Sequence, residues 1–486
     1  MTRPLWTAFE IAAATDGEVY GSFAASGVAF DSREVGPGDL FVALKGETTN
    51  GHRFVDAAFE RGAAGALVSE PIAQPHVLVQ EDEIPSDRIG RPYVQVQDSY
   101  AGLNALGRAA RARSEARIIG VTGSVGKTGT KEALFAALER TAPGFAHRSV
   151  KSYNNHTGVP LSLSRMPAET RYGVFEMGMN HAGELAALTR LVRPHIAIVT
   201  AIAPAHSAFF PSEEAIADAK GEIFEGLEPG GTAIVPFDSP HRDRLIEAAR
   251  PWAGRILTFG SDAGADVRAR EAVRAPHGGT LVSAVLPDAE LTFTIGLPGE
   301  HWVSNALAVL AAVDAAGGDL AAAGLALADM AGLPGRGQRR VAPLADGEAL
   351  VIDESYNANP ASMAATLKSL GEERGVGRRI AILGEMRELG EQSARYHAGL
   401  AEPILAADVD YALLVGSEMR ALANALEGRI DFAHVPDAAA ALERLPGLIE
   451  AGDAVLIKGS NAIGLARLVE HLASGALAGG KTTCSI

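Results

Sequence analysis

The run Gly120-Val-Thr-Gly-Ser-Val-Gly-Lys-Thr128 constrains this chain more than any other segment. It follows the apolar stretch Ile118–Val121 and precedes a helical pattern in which Ala133, Leu134, Ala137 and Leu138 share one face. Strand, glycine loop and helix in that order form a cradle for phosphate. Glycines let the backbone wrap around phosphate oxygens, and the N–H groups at the helix start point at the anion. Thr122, Gly123, Ser124, Val125 and Gly126 would supply the loop. Lys127 would neutralise β- and γ-phosphates, and the Thr128 hydroxyl would reach Mg²⁺. The strict pattern puts its first glycine at 121, where this chain has Val121, flanked by Gly120 and Gly123. The alternative is an ordinary Gly-rich turn at a strand end. Such a loop specifies a nucleotide but not a reaction.

The loop lies inside a longer grammar. The 486 residues suggest about three domains. Residues 1–115 read as a small α/β unit with strands in "GDLFVAL" and "AAGALVS" and a helix over Tyr100–Arg113. Residues 116–333 alternate short apolar runs (118–121, 174–177, 196–200 and 233–235) with helical patterns, which predicts a parallel sheet with crossover helices. "GLPGRGQRR" at 332–340 reads as a hinge. From 334 to 486 the same alternation returns in "ALVIDES", "RIAILGE", "YALLVGS" and "AVLIKGS", a Rossmann-like third unit.

Composition narrows the function. A net charge of −16 argues against a general nucleic-acid binder, though local cations can still hold an anionic substrate. The single cysteine, Cys484, excludes an intrachain disulfide and fits a reducing compartment. The segment MTRPLWTAFEIAAATDGE lacks the apolar core of a signal peptide, and Asp314, Asp319 and Asp329 interrupt the Ala-rich 305–330 stretch. These features predict a cytoplasmic protein with no membrane insertion.

"GVTGSVGKTGTKE" resembles the P-loop of the Mur ligase family, and other segments follow in the family's order. "FDSREVGPGDLFVALKGETTNGHRF" (30–54) resembles its UDP-sugar-binding module. "SYNNHTGVPLSL" (152–163) is similar to the loop after the P-loop. "FEMGMNHAGE" (175–184), "IAPAHSAFF" (202–210), "AKGEIFEGL" (219–227) and "GEHWVSNALAV" (299–309) resemble central-domain motifs. "DESYNANPASM" (353–363), "ILGEMRELG" (382–390) and "LIKGSNAIGL" (456–465) resemble the C-terminal domain. The resemblance implies an ATP-dependent ligase that phosphorylates a carboxylate and lets an amine displace the phosphate. "EMGMNHAGE" and "DESYNANP" resemble the member that adds D-alanyl-D-alanine to UDP-N-acetylmuramoyl tripeptide in peptidoglycan synthesis, acting as a monomer. Neither E-V-S-S-H nor D-N-P-R, typical of the members acting at the third stem-peptide residue, is present. Such a neighbour remains an alternative, separable by its amine substrate. Folylpolyglutamate synthase shares the ligase core, but "DSREVGPGDLFVAL" speaks against it. A P-loop switch is the alternative from another class; its ATP turnover would be indifferent to a carboxylate–amine pair.

The resemblance also implies roles for single residues. Glu176, at a strand end, would bind Mg²⁺ with Thr128; alone it is equally a carboxylate paired with an arginine. His206 would bind a second Mg²⁺, the alternative being a structural histidine. Lys220 would act as a carbamate, adding an anionic oxygen donor; otherwise it is a surface lysine. Lys127, His206, Lys220 and Arg336 are thus the catalytic candidates. Asn305 would contact adenine, or with His301 simply cap or pack a helix. Arg336 would stabilise charge near the γ-phosphate. Asp353, Tyr356 and Asn357 would complete the ATP contacts, Tyr356 being equally a core aromatic. Ser32, Glu47, Thr48, Thr49, Asn154, Asn155 and Thr157 are candidates for the UDP-linked precursor, although such clusters commonly only build turns.

Overall fold

The computed structural model describes residues 3–46, 48–72, 91–204, 208–275 and 279–478. Glu47, His206 and Cys484 lie outside the described residues.

Among the described residues three large sheets follow one another along the chain, with a two-stranded antiparallel pair, Trp6–Thr7 and Ala24–Ala25, in the first unit. The first has five strands in the order Glu18–Tyr20, Tyr93–Gln95, Gly65–Val68, Asp39–Val42, Gly27–Ala29; the first pair is antiparallel and the rest parallel. The helix Ser99–Ala112 leads out of it and packs on the short helix Gly158–Ser164 of the next unit. Two side chains pin this junction: Trp6 Nε1 donates to the Ser164 carbonyl at 2.8 Å, and Arg113 lies 3.7 Å over the Trp6 ring.

The central sheet has nine strands. Its parallel part runs Arg255–Gly260, Thr232–Pro236, Ile196–Val199, Arg117–Thr122, Tyr172–Glu176, Ala146–Arg148. Ile118, Ile119 and Val121 are all buried because helices cover both faces, as a parallel sheet requires. The parallel sheet carries an antiparallel extension at one edge. Val267–Arg274 joins in parallel, but Thr280–Val285 and Glu290–Ile295 add an antiparallel meander. Alternating exposed and buried residues over 280–285 and 290–295 show why: this part is covered on one side only. The helix Lys127–Thr141 packs Ala133, Leu134, Ala137 and Leu138 against the Ala-rich helix Glu300–Ala315, whose residues 306–313 are all buried. That helix brings Asn305 to the P-loop. No helix among the described residues is long and apolar enough to cross a membrane.

The third sheet has six strands in the order Gln338–Leu344, Gly347–Glu354, Ala454–Lys458, Arg379–Gly384, Tyr411–Val415, Asp431–Val435, parallel except for the first pair. The strand ends at Glu354 and Lys458 pair directly and face the central domain's P-loop.

Candidate active site

Between the strand ends of the central and third sheets lies a cavity of about 490 Å³. Ser124, Val125, Gly126, Lys127 and Thr128 form its floor. In the central sheet the chain leaves the Arg117–Thr122 strand on one side and returns through Ile196–Val199 on the other, so the loop sits where open α/β sheets bind ligands.

The P-loop backbone is pinned from two sides. Thr200 Oγ1 donates to the Thr122 and Val125 carbonyls at 3.1 and 2.5 Å, and Ser124 N donates to the Ala201 carbonyl at 2.7 Å. Gly123 (φ +147°) has no room for a Cβ beside the Thr200 hydroxyl, and at Gly126 (φ +87°) a Cβ would stand 2.7 Å from Asn305 Oδ1. Both glycines therefore answer to positive φ and to close approach at once. Thr122 and Gly123 are buried beneath the residues that line the cavity and support the loop, and Lys220 likewise stands behind that lining.

Lys127 Nζ donates to the Gly123 carbonyl at 2.6 Å. Burial pushes its ammonium below the ordinary value; Glu176 opposes that shift and Arg336 adds to it. Glu176 is buried at the end of its strand. One oxygen accepts from Thr128 Oγ1 at 2.9 Å, the other from Asn154 Nδ2 at 2.7 Å. Lys220 is buried, and its Nζ has no hydrogen-bond partner among the described residues. Burial, with Lys127 next, drives this amine well below the usual lysine value.

From the third domain come Arg336, Glu354, Tyr356, Asn357 and Lys458. The Arg336 guanidinium stacks 4.2 Å from the Tyr356 ring centroid and donates to Ser152 Oγ at 3.3 Å, across the domain boundary. Lys458 donates to the Asn357 carbonyl at 2.9 Å and lies 3.5 Å from Glu354. Burial raises the Glu354 carboxyl and lowers the Lys458 ammonium, while each group's charge opposes the other's shift. Facing this wall from the central-domain helix Glu300–Ala315, His301 lines the same cavity; burial, with Lys458 adding, pushes it down to about 4, so its ring is neutral at pH 7.

Some expected residues stand elsewhere. Asp353 does not line the cavity. Its carboxylate accepts from Gly335 N at 2.7 Å and from Ser355 N and Oγ at 3.1 and 2.6 Å. Asp353 thereby holds the turn that presents Arg336. Asn155 Oδ1 accepts from Thr157 N and Oγ1 and Gly158 N, so Asn155 and Thr157 shape a helix start. Ser32, Thr48 and Thr49 stay on the N-terminal unit, outside the cavity. Ser152, Trp302, Glu354, Asn359 and Lys458 were not anticipated as cavity residues although four of the five lie in the motifs "SYNN", "DESYNANP" and "LIKGSN"; Trp302 adjoins His301.

A P-loop floor, a carboxylate–hydroxyl pair beside it and a cationic wall from a second α/β domain make a cavity shared by two domains, the arrangement of a nucleotide-using enzyme. The chain belongs to the Mur ligase family: the Mur ligase middle domain matches residues 121–313, the glutamate ligase domain of Mur ligases 336–461, and the Mur ligase family catalytic domain 25–113. The UDP-N-acetylmuramoyl-tripeptide--D-alanyl-D-alanine ligase of Escherichia coli (strain K12) is 34% identical over 94% of this chain and 96% of its own length. The Bacillus subtilis (strain 168) protein of the same name is 31% identical over 92% and 93%. Among solved structures, MurF from Acinetobacter baumannii superimposes with a TM-score of 0.80 at 31% identity, covering 96% of this chain and 99% of its own. MurF ligase from Thermotoga maritima in complex with ADP gives 0.73 at 26% identity over 92% and 97%.

Proposed function

We propose that this chain is the ATP-dependent, ADP-forming ligase that joins D-alanyl-D-alanine to UDP-N-acetylmuramoyl tripeptide in peptidoglycan precursor synthesis. The observation that carries the reading is the cavity itself: a P-loop and a second domain's cationic wall meet in a chain similar over almost its whole length to ligases of that name. ATP, an ordinary cytoplasmic metabolite, is the phosphoryl donor, and the cytoplasm is the corresponding location.

The tripeptide carboxylate attacks the γ-phosphorus of ATP, the bond to the β-phosphate oxygen breaks, and ADP leaves. The amine of D-alanyl-D-alanine then attacks the acyl carbon, phosphate departs, and the amine proton passes to solvent or phosphate. Charge and position dominate such chemistry. Lys127 offers its ammonium to the phosphates once it leaves the Gly123 carbonyl. Arg336, held flat by Tyr356, brings a second cation from the other domain.

Two oxygen donors suit Mg²⁺, a hard ion that prefers oxygen: the Glu176 carboxylate and the Thr128 hydroxyl, with Asn154 Nδ2 holding the second carboxylate oxygen in place. Bound Mg²⁺ would supply charge neutralisation for phosphate oxygens. Lys220 extends the set as a carbamate. Burial without a hydrogen-bond partner among the described residues shifts this amine toward its neutral form, the form that adds CO₂ with loss of one proton.

The test is phosphate release with UDP-N-acetylmuramoyl tripeptide and D-alanyl-D-alanine, added singly and together with MgATP. Release that needs both substrates is expected. Equal release with ATP alone overturns the ligase reading, and a preference for a free amino acid over the dipeptide moves the chain to a neighbouring activity.

A further inference from the structure

Lys131 lies one helical turn beyond Lys127 and is fully buried. Its ammonium donates to the Ser149 carbonyl at 2.9 Å and the Lys151 carbonyl at 2.8 Å, and meets Glu132 Oε1 at 2.8 Å. An ammonium has three donors. All three are spent, so Lys131 has none to offer a nucleotide.

The carbonyls it holds belong to the segment 149–154, which does three things. Ser149 Oγ accepts from the Glu176 backbone N–H at 3.2 Å. Ser152 stands 3.5 Å from Thr128 Oγ1 and accepts from Arg336. Asn154 donates to Glu176 Oε1 at 2.7 Å, and its carbonyl accepts from Gly178 N at 2.8 Å. The segment also touches the N-terminal unit: Lys151 Nζ and Tyr153 Oη both reach the Glu34 carboxylate. Lys151 sits at φ +54°, in the left-handed region that non-glycine residues occupy only when their surroundings hold them there. The Lys131 ammonium, bonded to the Lys151 carbonyl, is such a hold.

We propose that Lys131 is a positioning residue. It locks segment 149–154 onto the P-loop helix so that Asn154 and Ser152 set Glu176 and Thr128, and through Lys151 and Tyr153 it ties that setting to the N-terminal unit. The kinetic part of the test rests on the ligase reading above; the hydrogen-exchange part does not.

The experiment compares Lys131→Met, Lys131→Gln and Asn154→Ala in the full chain. In Lys131→Met the amides of Glu176 and Gly178 exchange at least about tenfold faster, because their acceptors on Ser149 and Asn154 are released, while strand 379–384 keeps its protection. Ligation slows by about 10- to 100-fold, the Mg²⁺ concentration for half-maximal rate rises, and KM for ATP moves by less than about threefold. Lys131→Gln, with two donors on a shorter stem, recovers part of both. Adding Asn154→Ala to Lys131→Met costs little more than the larger single change, since both act through one group. Unchanged protection at 176 and 178, or losses that multiply in the double variant, overturns the proposal. Loss of protection across strand 379–384, or failure of both Lys131 variants to fold, assigns Lys131 to global stability and also overturns it. The expected exchange pattern in a protein that does not ligate leaves Lys131's positioning role standing and removes the ligase reading instead.

Discussion

The two walls of the cavity are built differently. On the central-domain side the groups around Glu176 and the P-loop backbone are already bonded to one another, while Lys220 Nζ is left without a partner among the described residues. Thr128 and Asn154 take both oxygens of Glu176, Thr200 bonds the P-loop carbonyls of Thr122 and Val125 with Asn305 close against Gly126, and Lys127 is folded onto its own loop. On the third-domain side the groups are held to one another but only lightly to the opposite wall. Tyr356 is 37% exposed, Arg336 crosses the gap through one 3.3 Å bond to Ser152, and Ala208 N reaches the Glu388 carbonyl at 3.0 Å. The difference teaches a division of labour. The central wall is a finished template, whereas the third-domain wall is delivered to it by the turn at 333–337, which Asp353 holds from below. Substitutions in the template should abolish chemistry; substitutions in the delivered wall should weaken nucleotide use.

Lys127→Ala tests the template hardest. The phosphates lose a buried cation that no neighbour replaces, so kcat should fall by at least about a thousandfold with little change in melting temperature. Phosphate release and thermal unfolding measure the two. A variant within tenfold of wild type would mean that the template does not depend on its lysine.

Lys220 comes next. Lys220→Ala should lose on the order of a hundredfold or more in kcat, and a small carboxylate such as formate should restore part of it by occupying the vacated space. Lys220→Arg keeps the charge but cannot form the carbamate, and should be as impaired as Lys220→Ala. A fully active arginine variant would leave Lys220 an ordinary cation.

Arg336→Lys probes the delivered wall. The ammonium keeps the charge but loses the planar stack on Tyr356, so kcat/KM for ATP should fall by about 10- to 50-fold, mostly through KM. A loss confined to kcat would place Arg336 with the template and erase the contrast between the walls.

The contrast also explains what the sequence could reveal. The template's core was legible because its parts are local: strand, glycine loop, Lys-Thr and helix occupy consecutive residues, and Glu176 stands at the end of an apolar strand. The three-unit α/β plan was legible for the same reason, since buried parallel strands read as short apolar runs. The meander at 280–295 was not marked in advance, because its half-exposed strands carry no such run. Asn305 sits 179 positions beyond Gly126 and only the family resemblance suggested it. Asp353 was likewise suggested only by the family resemblance, and composition could not show that the neighbouring N–H groups of Gly335 and Ser355 bond to its oxygens. Lys131 and Lys458 went unassigned because buried lysines are rare, and composition cannot say which lysine finds enough carbonyls to stay inside.

The smallest expected effect concerns pH. His301 lines the cavity and His147 sits on the central sheet's edge strand Ala146–Arg148, bonded to the Ser162 carbonyl at 2.8 Å. Burial pushes both down to about 4. For His301, Lys458 adds to the shift and Glu300 opposes it. The sign follows from proton uptake. Unfolded histidine titrates near 6.5, so between about 6.5 and 4 the unfolded chain binds a proton at each site that the folded chain does not. Stability from these sites is complete above pH 6.5 and declines as pH falls through that window, by up to about 1.4 kcal/mol per pH unit per histidine. Both histidines belong to the central domain, so its unfolding transition should carry the effect, and the third domain's should carry less of it. His301→Gln and His147→Gln should each flatten the decline in melting temperature between pH 7 and 5 by a similar amount, and together by about the sum, since the two sites sit apart and share no partner. Equal slopes in wild type and the double variant would show that neither ring resists protonation. A flattening confined to His147→Gln would place His301 in contact with solvent, and would mean that the cavity wall it belongs to is open rather than packed.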